Sequence, residues 1–265
     1  MELSLYQIDA FTDRLFSGNP ACVVPLTKML PDNLLLKIAQ ENAVAETAFF
    51  IIQGEKIILR WFTPEVEMDL CGHATLATAH CLKTILHYPK DTFQFETLSG
   101  PLFVESFKGL YHLNFPTRKP VKVRLPTLLK DALNIQPIEV YKARDYVLVY
   151  ETKDSIKNIT VNRLFFDHLN LGVGGVIVTA KGDDCDFTSR FFTPKASILE
   201  DPVTGSAHCS LIPFWAERLD KKTLLAKQLS SRGGTIYCQD LGERVVISGK
   251  AVTYSKGSFV INQFK

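Results

Sequence analysis

Apolar positions along this chain fall mostly in short runs of alternating character, bounded by turn residues. Such runs, rich in valine, isoleucine, phenylalanine and tyrosine, predict β-strands. In the N-terminal half they lie at 3–9, 21–25, 47–52, 56–62, 93–97, 102–106 and 110–115. In the C-terminal half they lie at 138–142, 146–150, 174–180, 186–192, 235–239, 244–248 and 252–261. Helical spacing is rarer. It predicts a helix over 31–41, opened by Pro31 and Asp32. A second helix is predicted over 72–85, where Lys83 is the one charged residue if histidines are neutral. A helix apolar all round is a buried helix. A third is predicted over 205–219, kinked at Pro213 because the ring removes a backbone donor.

The second and third helices belong to an internal repeat. Arg60-Trp61-Phe62-Thr63-Pro64 returns 130 positions later as Arg190-Phe191-Phe192-Thr193-Pro194. Cys71-Gly72-His73-Ala74 returns 133 positions later as Thr204-Gly205-Ser206-Ala207. Two copies are too few for a solenoid and indicate a duplicated domain. The expected fold is therefore α+β, with two pseudo-symmetric lobes, each a curved, mostly antiparallel sheet wrapped round one central helix. The N-terminal lobe is expected over 1–118, with the strand at 252–265 as its candidate completion, and the C-terminal lobe over 119–251. Pro120 and Pro126 mark the boundary segment.

Composition narrows the function classes. The 265 residues are 46% hydrophobic and 22% charged, with a net charge of +2, which is the balance of an ordinary globular protein. Lysines and arginines are scattered, so neither a nucleic-acid stripe nor a basic membrane anchor is expected. No apolar run approaches the roughly 18 residues of a membrane-crossing helix. The start, Met-Glu-Leu-Ser-Leu followed by Asp9, Asp13 and Arg14, lacks the character of a signal peptide. Cys22, Cys71, Cys81, Cys185, Cys209 and Cys238 are irregularly spaced. They read as reduced thiols of a cytoplasmic protein.

Candidate chemistry is concentrated in two places. Glu46 is the one charged residue in the run from Ala43 to Ile52. A carboxylate in such a setting is partnered, protonated or at the lip of a pocket, and a buried carboxyl is a usable acid or base near neutral pH. It could equally face outward at a strand start. The duplicated glycines, Gly72 and Gly205, open the two central helices, whose first N–H groups suit an anion or an enolate-like intermediate. His73, Ser206 and Asp201 stand beside them, with core packing or helix capping as the plainer readings.

Metal chemistry is not expected. On a helix His73 and His80 stand two turns apart, and the Cys71, His73, His80 and Cys81 spacing matches no common zinc pattern. The glycine-rich 172–175 segment precedes a strand instead of opening a helix, which excludes phosphate-loop and dinucleotide motifs. Ser206 and His208 do not face one another on a helix.

Taken in order, these motifs resemble the PhzF-like family of phenazine biosynthesis, proteins of the diaminopimelate epimerase fold. The resemblance runs through Asp9-Ala10-Phe11-Thr12, Gly18-Asn19-Pro20, the segment from Asn42 to Phe49, Arg60–Pro64, Leu70–Thr75, Glu200–His208 and Arg232-Gly233-Gly234. It implies a cofactor-independent isomerase that moves a proton within a small unsaturated or cyclic carboxylate, in a cleft between two lobes. Glu46 would be the general acid/base, with His73 and Asp201 assisting or relaying protons. Ser206, Gly72 and Gly205 would hold the substrate, and Asn19 would line the same cleft. A homodimer is the assembly the resemblance implies. Two alternatives differ in chemistry. A two-thiol racemase or epimerase on the same fold needs a cysteine before each glycine, and here the second position is Thr204. A small-molecule-binding protein could keep the fold without the reaction.

Overall fold

The computed structural model describes residues 1–262 and divides the chain into two compact units. Unit 1 comprises Met1–Asn114 and the segment from Ser248 onward, and unit 2 comprises Phe115–Ile247. The part of the expected 252–265 strand at residues 263–265 lies outside the described residues. The strand itself runs over Ala251–Val260 and pairs antiparallel with the first strand of unit 1.

Unit 1 opens with β1 (Glu2–Ala10) and β2 (Asn19–Pro25), then α1 (Asp32–Asn42), β3 (Glu46–Gln53), β4 (Lys56–Phe62) and a short β5 (Glu67–Met68). It continues through α2 (Gly72–His80), β6 (Thr92–Thr97), β7 (Gly100–Phe107) and β8 (Leu110–Pro116). β1 and β2 pair antiparallel, β2 and β3 parallel, β3 and β4 antiparallel, β4 and β6 parallel, β6 and β7 antiparallel. A parallel neighbour requires a crossover, and each parallel pair here is joined through a helix, α1 or α2. Leu34, Leu35 and Ile38 of α1 pack on Val24, Phe49, Ile51 and Phe62.

Unit 2 contains β9 (Val121–Lys122), α3 (Thr127–Ala132), β10 (Glu139–Lys142), β11 (Tyr146–Val149), α4 (Lys153–Lys157), α5 (Arg163–Phe166), β12 (Val176–Lys181) and β13 (Phe187–Phe192). After these come α6 (His208–Leu219), β14 (Thr223–Gln228), β15 (Gly234–Asp240) and β16 (Arg244–Gly249), and Ala251–Val260 is β17, which belongs to unit 1. From β10 to β15 the pairings run antiparallel, parallel, antiparallel, parallel, antiparallel. This is the order seen in unit 1. α6 is the crossover between parallel β13 and β14, as α2 is between β4 and β6.

The likeness extends to side chains. Arg60 on β4 donates from Nε and Nη2 to both oxygens of Glu67, at 2.6 Å each, and lies over the Phe62 ring. Arg190 on β13 donates to both oxygens of Glu200 at 2.7 and 2.8 Å and lies over Phe192. Each clasp ties the end of a strand to the segment leading into the buried helix. Bidentate pairing of this kind fixes orientation as well as charge.

All nine residues of α2 are buried, as its apolar sequence requires. Its threonines satisfy their hydroxyls on the preceding turn: Thr75 donates to the Cys71 carbonyl at 2.6 Å and Thr78 to the Ala74 carbonyl at 2.7 Å. The α-helix ends at His80 and continues as a π-helical turn over Cys81–Ile85, so the helix expected over 72–85 changes its winding partway. The helix expected from Gly205 begins with a 3₁₀ turn, Gly205–Ala207, and is α-helical from His208. Pro213 lies inside α6, which runs on past it to Leu219. The ring leaves the Cys209 carbonyl without its helical partner, and the Arg118 backbone N–H takes that carbonyl at 2.9 Å.

Leu76 is fully buried in α2. It packs where Gly249 lets Phe11 approach so closely that a Cβ at 249 would lie 2.4 Å from the Phe11 ring. Leu76→Ala removes contacts on every side of the side chain. It should lower the unfolding free energy by about 2–5 kcal/mol, read from the midpoint of urea denaturation.

Candidate active site

Unit 1 brings four of the sequence-selected residues together. Glu46 is the first residue of β3, placed there by a left-handed turn at Ala43 that ends α1. Its side chain is mostly buried, and Oε2 lies 2.9 Å from Nε2 of His73. The approach is close but lies off the hydrogen-bond direction. His73 is the second residue of α2, held at the start of the buried helix with a side chain 5% exposed. On the other edge of its ring, Nδ1 lies 3.2 Å from Asn19 Nδ2 and 3.6 Å from Cys71 Sγ. Asn19 opens β2 and is fully buried. Cys71 precedes Gly72 in an extended conformation.

Charge at this cluster is set by opposing effects. Burial by itself works against a charged His73, but the neighbouring Cys71 sulfur and the Glu46 carboxylate outweigh it and hold the imidazole proton well above the ordinary histidine range. Burial, reinforced by the Glu46 charge, pushes the Cys71 thiol up to about 11. Cys71 is therefore a protonated thiol at neutral pH, and Glu46 is the charge that favours an imidazolium. Asn19 suits either ring state, because an amide presents a donor to a bare Nδ1 and an acceptor to Nδ1–H.

The donor atoms of Glu46, Cys71 and His73 all lie within 4.8 Å of one another. Glu46 faces one ring nitrogen and Cys71 the other, so an ion taking the ring from one side gives up the partner on the opposite side. His80, grouped with them by sequence, is engaged at both nitrogens by Tyr111 and Thr253. Burial, with Lys256 nearby, pushes His80 down to about 4.

Unit 2 holds Asp201 and Ser206. Thr204, at the position matching Cys71, donates its hydroxyl to Asp201 Oδ2 at 2.5 Å. Gln228 takes the Thr204 N–H at 2.9 Å and donates to the Asp201 carbonyl at 2.8 Å. Ser206 Oγ accepts from Arg144 Nη2 at 3.0 Å. Gly205 sits beside it in the 3₁₀ turn and is buried. His208 is bonded through Nδ1 to the Thr204 carbonyl at 2.9 Å and does not serve Ser206. Its burial pushes it down to about 4. Gln228 and Arg144 did not emerge from the sequence reading. Gln228 is a buried amide at the end of a strand, and Arg144 neighbours Asp145 in a turn, so neither forms a motif.

The fold is that of the PhzF and epimerase-type proteins. A hydroxyproline epimerase of Agrobacterium vitis, solved with trans-4-hydroxy-L-proline bound, shares it at a TM-score of 0.63 and 11% identity, over 99% of this chain and 93% of its own. The PhzC-PhzF family, described as phenazine biosynthesis-like protein, matches residues 8–257, and the chain belongs to that family. It is 45% identical over 258 residues to an uncharacterised isomerase of Pseudomonas aeruginosa, covering 97% of this chain and 98% of that one. A PhzF-family crystal structure from Enterococcus faecalis superposes with a TM-score of 0.94 at 44% identity, covering 98% of this chain and all of its own. Among the described residues no helix is long and apolar enough to cross a membrane.

The histidines give stability a pH signature. His80 and His208, lowered in the fold from 6.5 to about 4, favour the unfolded chain as they acquire protons, so stability should fall as pH drops from about 6.5 to 4. His73 has the opposite sign, since its stabilisation is present at low pH and is lost as pH rises through its elevated value. His208→Asn should flatten the acid limb of unfolding free energy against pH. Glu46→Gln should bring the His73 titration, followed by NMR of the ring protons, back toward the ordinary range.

Proposed function

We propose that this protein is a cytoplasmic isomerase that moves a proton within a small unsaturated or cyclic carboxylate, with Glu46 as the general acid/base. The observation that carries the reading is the buried 2.9 Å approach of the Glu46 carboxylate to His73 at the start of α2. An isomerase-type activity is also what the naming of the Pseudomonas relative supports. Glu46 takes a proton from a carbon beside an unsaturated group and returns it to another carbon. His73 compensates the change of charge on Glu46 through the shared contact and can pass a proton on. In unit 2, Thr204 and Gln228 hold Asp201 in place for the relay role that the family likeness suggests. Ser206 and the backbone at Gly72 and Gly205 are assigned to the substrate carboxylate and to the charge that develops on it. In this reading the common order of strand pairings and the paired Arg–Glu clasps are marks of duplication, and a homodimer is the expected assembly.

The epimerase alternative draws on Cys71, which stands 3.6 Å from His73 Nδ1. Two-thiol chemistry needs a second thiol, and its position holds Thr204, whose hydroxyl is committed to Asp201. The one-carboxylate mechanism needs no such partner.

The test is proton exchange in deuterated water, followed by NMR. The panel is dihydro-3-hydroxyanthranilate, diaminopimelate, proline and trans-4-hydroxyproline. Wild type should exchange a carbon-bound proton or shift a double bond in at least one compound. Glu46→Gln should slow that reaction by about 10²–10⁴-fold, in the range of a lost general acid/base. Exchange that survives Glu46→Gln and disappears in Cys71→Ser would replace the carboxylate mechanism with thiol chemistry.

A further inference from the structure

Resting on the assignment of Ser206 to the substrate carboxylate, we propose that Arg144 is the positioning residue that makes Ser206 a carboxylate-selective donor. Arg144 Nη2 donates to Ser206 Oγ at 3.0 Å. With the oxygen accepting from a cation, the serine's own O–H is left to donate, and polarisation by the guanidinium strengthens that donation. A hydroxyl whose oxygen already accepts from a cation donates most strongly to an anionic oxygen, and its one remaining lone pair is a weakened acceptor for an N–H group.

The guanidinium is built into the unit. Nη2 and Nε also donate to Asp145, at 2.9 Å to Oδ2 and 3.1 Å to Oδ1. Asp145 is fully buried, and its Oδ1 accepts from the Gly175 N–H at 2.8 Å. A charge so deep is retained only when paired and hydrogen-bonded, and here both conditions are met. The glycine-rich segment supplies the room. A Cβ at Gly174 would lie 2.7 Å from the Arg144 carbonyl oxygen, and one at Gly175 would lie 2.4 Å from the Phe191 ring. Gly174 and Gly175 therefore allow the loop to close on Arg144 and Asp145, which is a use for this segment that a phosphate-loop reading does not provide. The chain Gly175–Asp145–Arg144–Ser206 spans 62 positions from Arg144 to Ser206 and holds one hydroxyl in one orientation.

The experiment measures equilibrium binding by calorimetry for matched pairs: benzoate with benzamide, 2-aminobenzoate with 2-aminobenzamide, and proline with prolinamide. Wild type should prefer the carboxylate in at least one pair. Ser206→Ala should lower carboxylate affinity by about tenfold, as expected for a hydrogen bond to a charged group, and lower the amide's affinity by less, because a neutral carbonyl accepts a weaker bond. Arg144→Lys keeps a cation for Asp145 but loses the fork that serves two partners, and it should reduce the preference to a similar extent. The double variant Arg144→Lys with Ser206→Ala should be no weaker than either single variant, because Arg144 acts through Ser206. If Arg144→Lys unfolds the protein, the neutral pair Arg144→Gln with Asp145→Asn takes its place and carries the same expectation.

Full carboxylate preference in a folded Arg144 variant overturns the proposal. So do additive losses in the double variant, or a wild type that prefers no carboxylate in any pair. Glu46→Gln separates this result from the wider reading. Retained Arg144-dependent binding without Glu46-dependent exchange sinks the isomerase and leaves the proposal standing. Exchange without any Arg144 effect does the reverse.

Discussion

A helix buried on every side is the constraint from which the site in unit 1 follows. α2 has no wet face, so each of its polar groups must find a partner inside the protein. Thr75 and Thr78 solve this locally by bonding the preceding turn. His73 cannot, because it stands at the helix start, where neighbouring strands supply what surrounds it. Asn19 at the head of β2 and Glu46 at the head of β3 come to its two ring edges. Those two strands are parallel neighbours in register, with Ala21 opposite Glu46, so their starting ends lie side by side. The Glu46–His73 contact is thus a consequence of where a parallel crossover begins and of which helix it encloses.

Unit 2 uses the same frame with different chemistry. Where unit 1 has Cys71 and His73, unit 2 has Thr204 and Ser206. Thr204 turns its hydroxyl to a carboxylate, and Ser206 accepts from a guanidinium. The clasps Arg60–Glu67 and Arg190–Glu200, by contrast, keep the same residue types and nearly the same distances. The clasps and the helix-opening glycines are alike in the two units, whereas the polar residues flanking those glycines differ.

Much of this was legible in the sequence because burial leaves a compositional trace. A helix nearly free of charge after Gly72 signals an interior position, whereas the lone charge of Glu46 in an apolar run marked the residue without deciding between an interior and an outward face. What escaped has equally physical reasons. β14 reads Thr-Leu-Leu-Ala-Lys-Gln and buries Leu224, Ala226 and Gln228. An alanine and a glutamine carry little strand signal. The helices α3, α4 and α5 have six, five and four residues, too short for a helical period to show. Their caps, Thr152 for α4 and Asn162 for α5, were the available cue. Arg144 and Gln228 were invisible for another reason. Each matters through a partner far along the chain, and only the folded strands bring the two together.

The thiols carry a practical consequence. All six cysteines are free, and five of them are buried. Cys71 is held as a protonated thiol, and Cys22 and Cys81 are pushed up to about 12 by burial. The thiol of Cys185, in the turn before β13, is raised by burial as well, but it is the one that solvent partly reaches. A thiol-reactive dye applied to the native protein at neutral pH therefore has one natural address. The fold supplies a ready-made spectroscopic handle on unit 2, with no residue engineered and the Glu46–His73–Cys71 cluster of unit 1 left untouched.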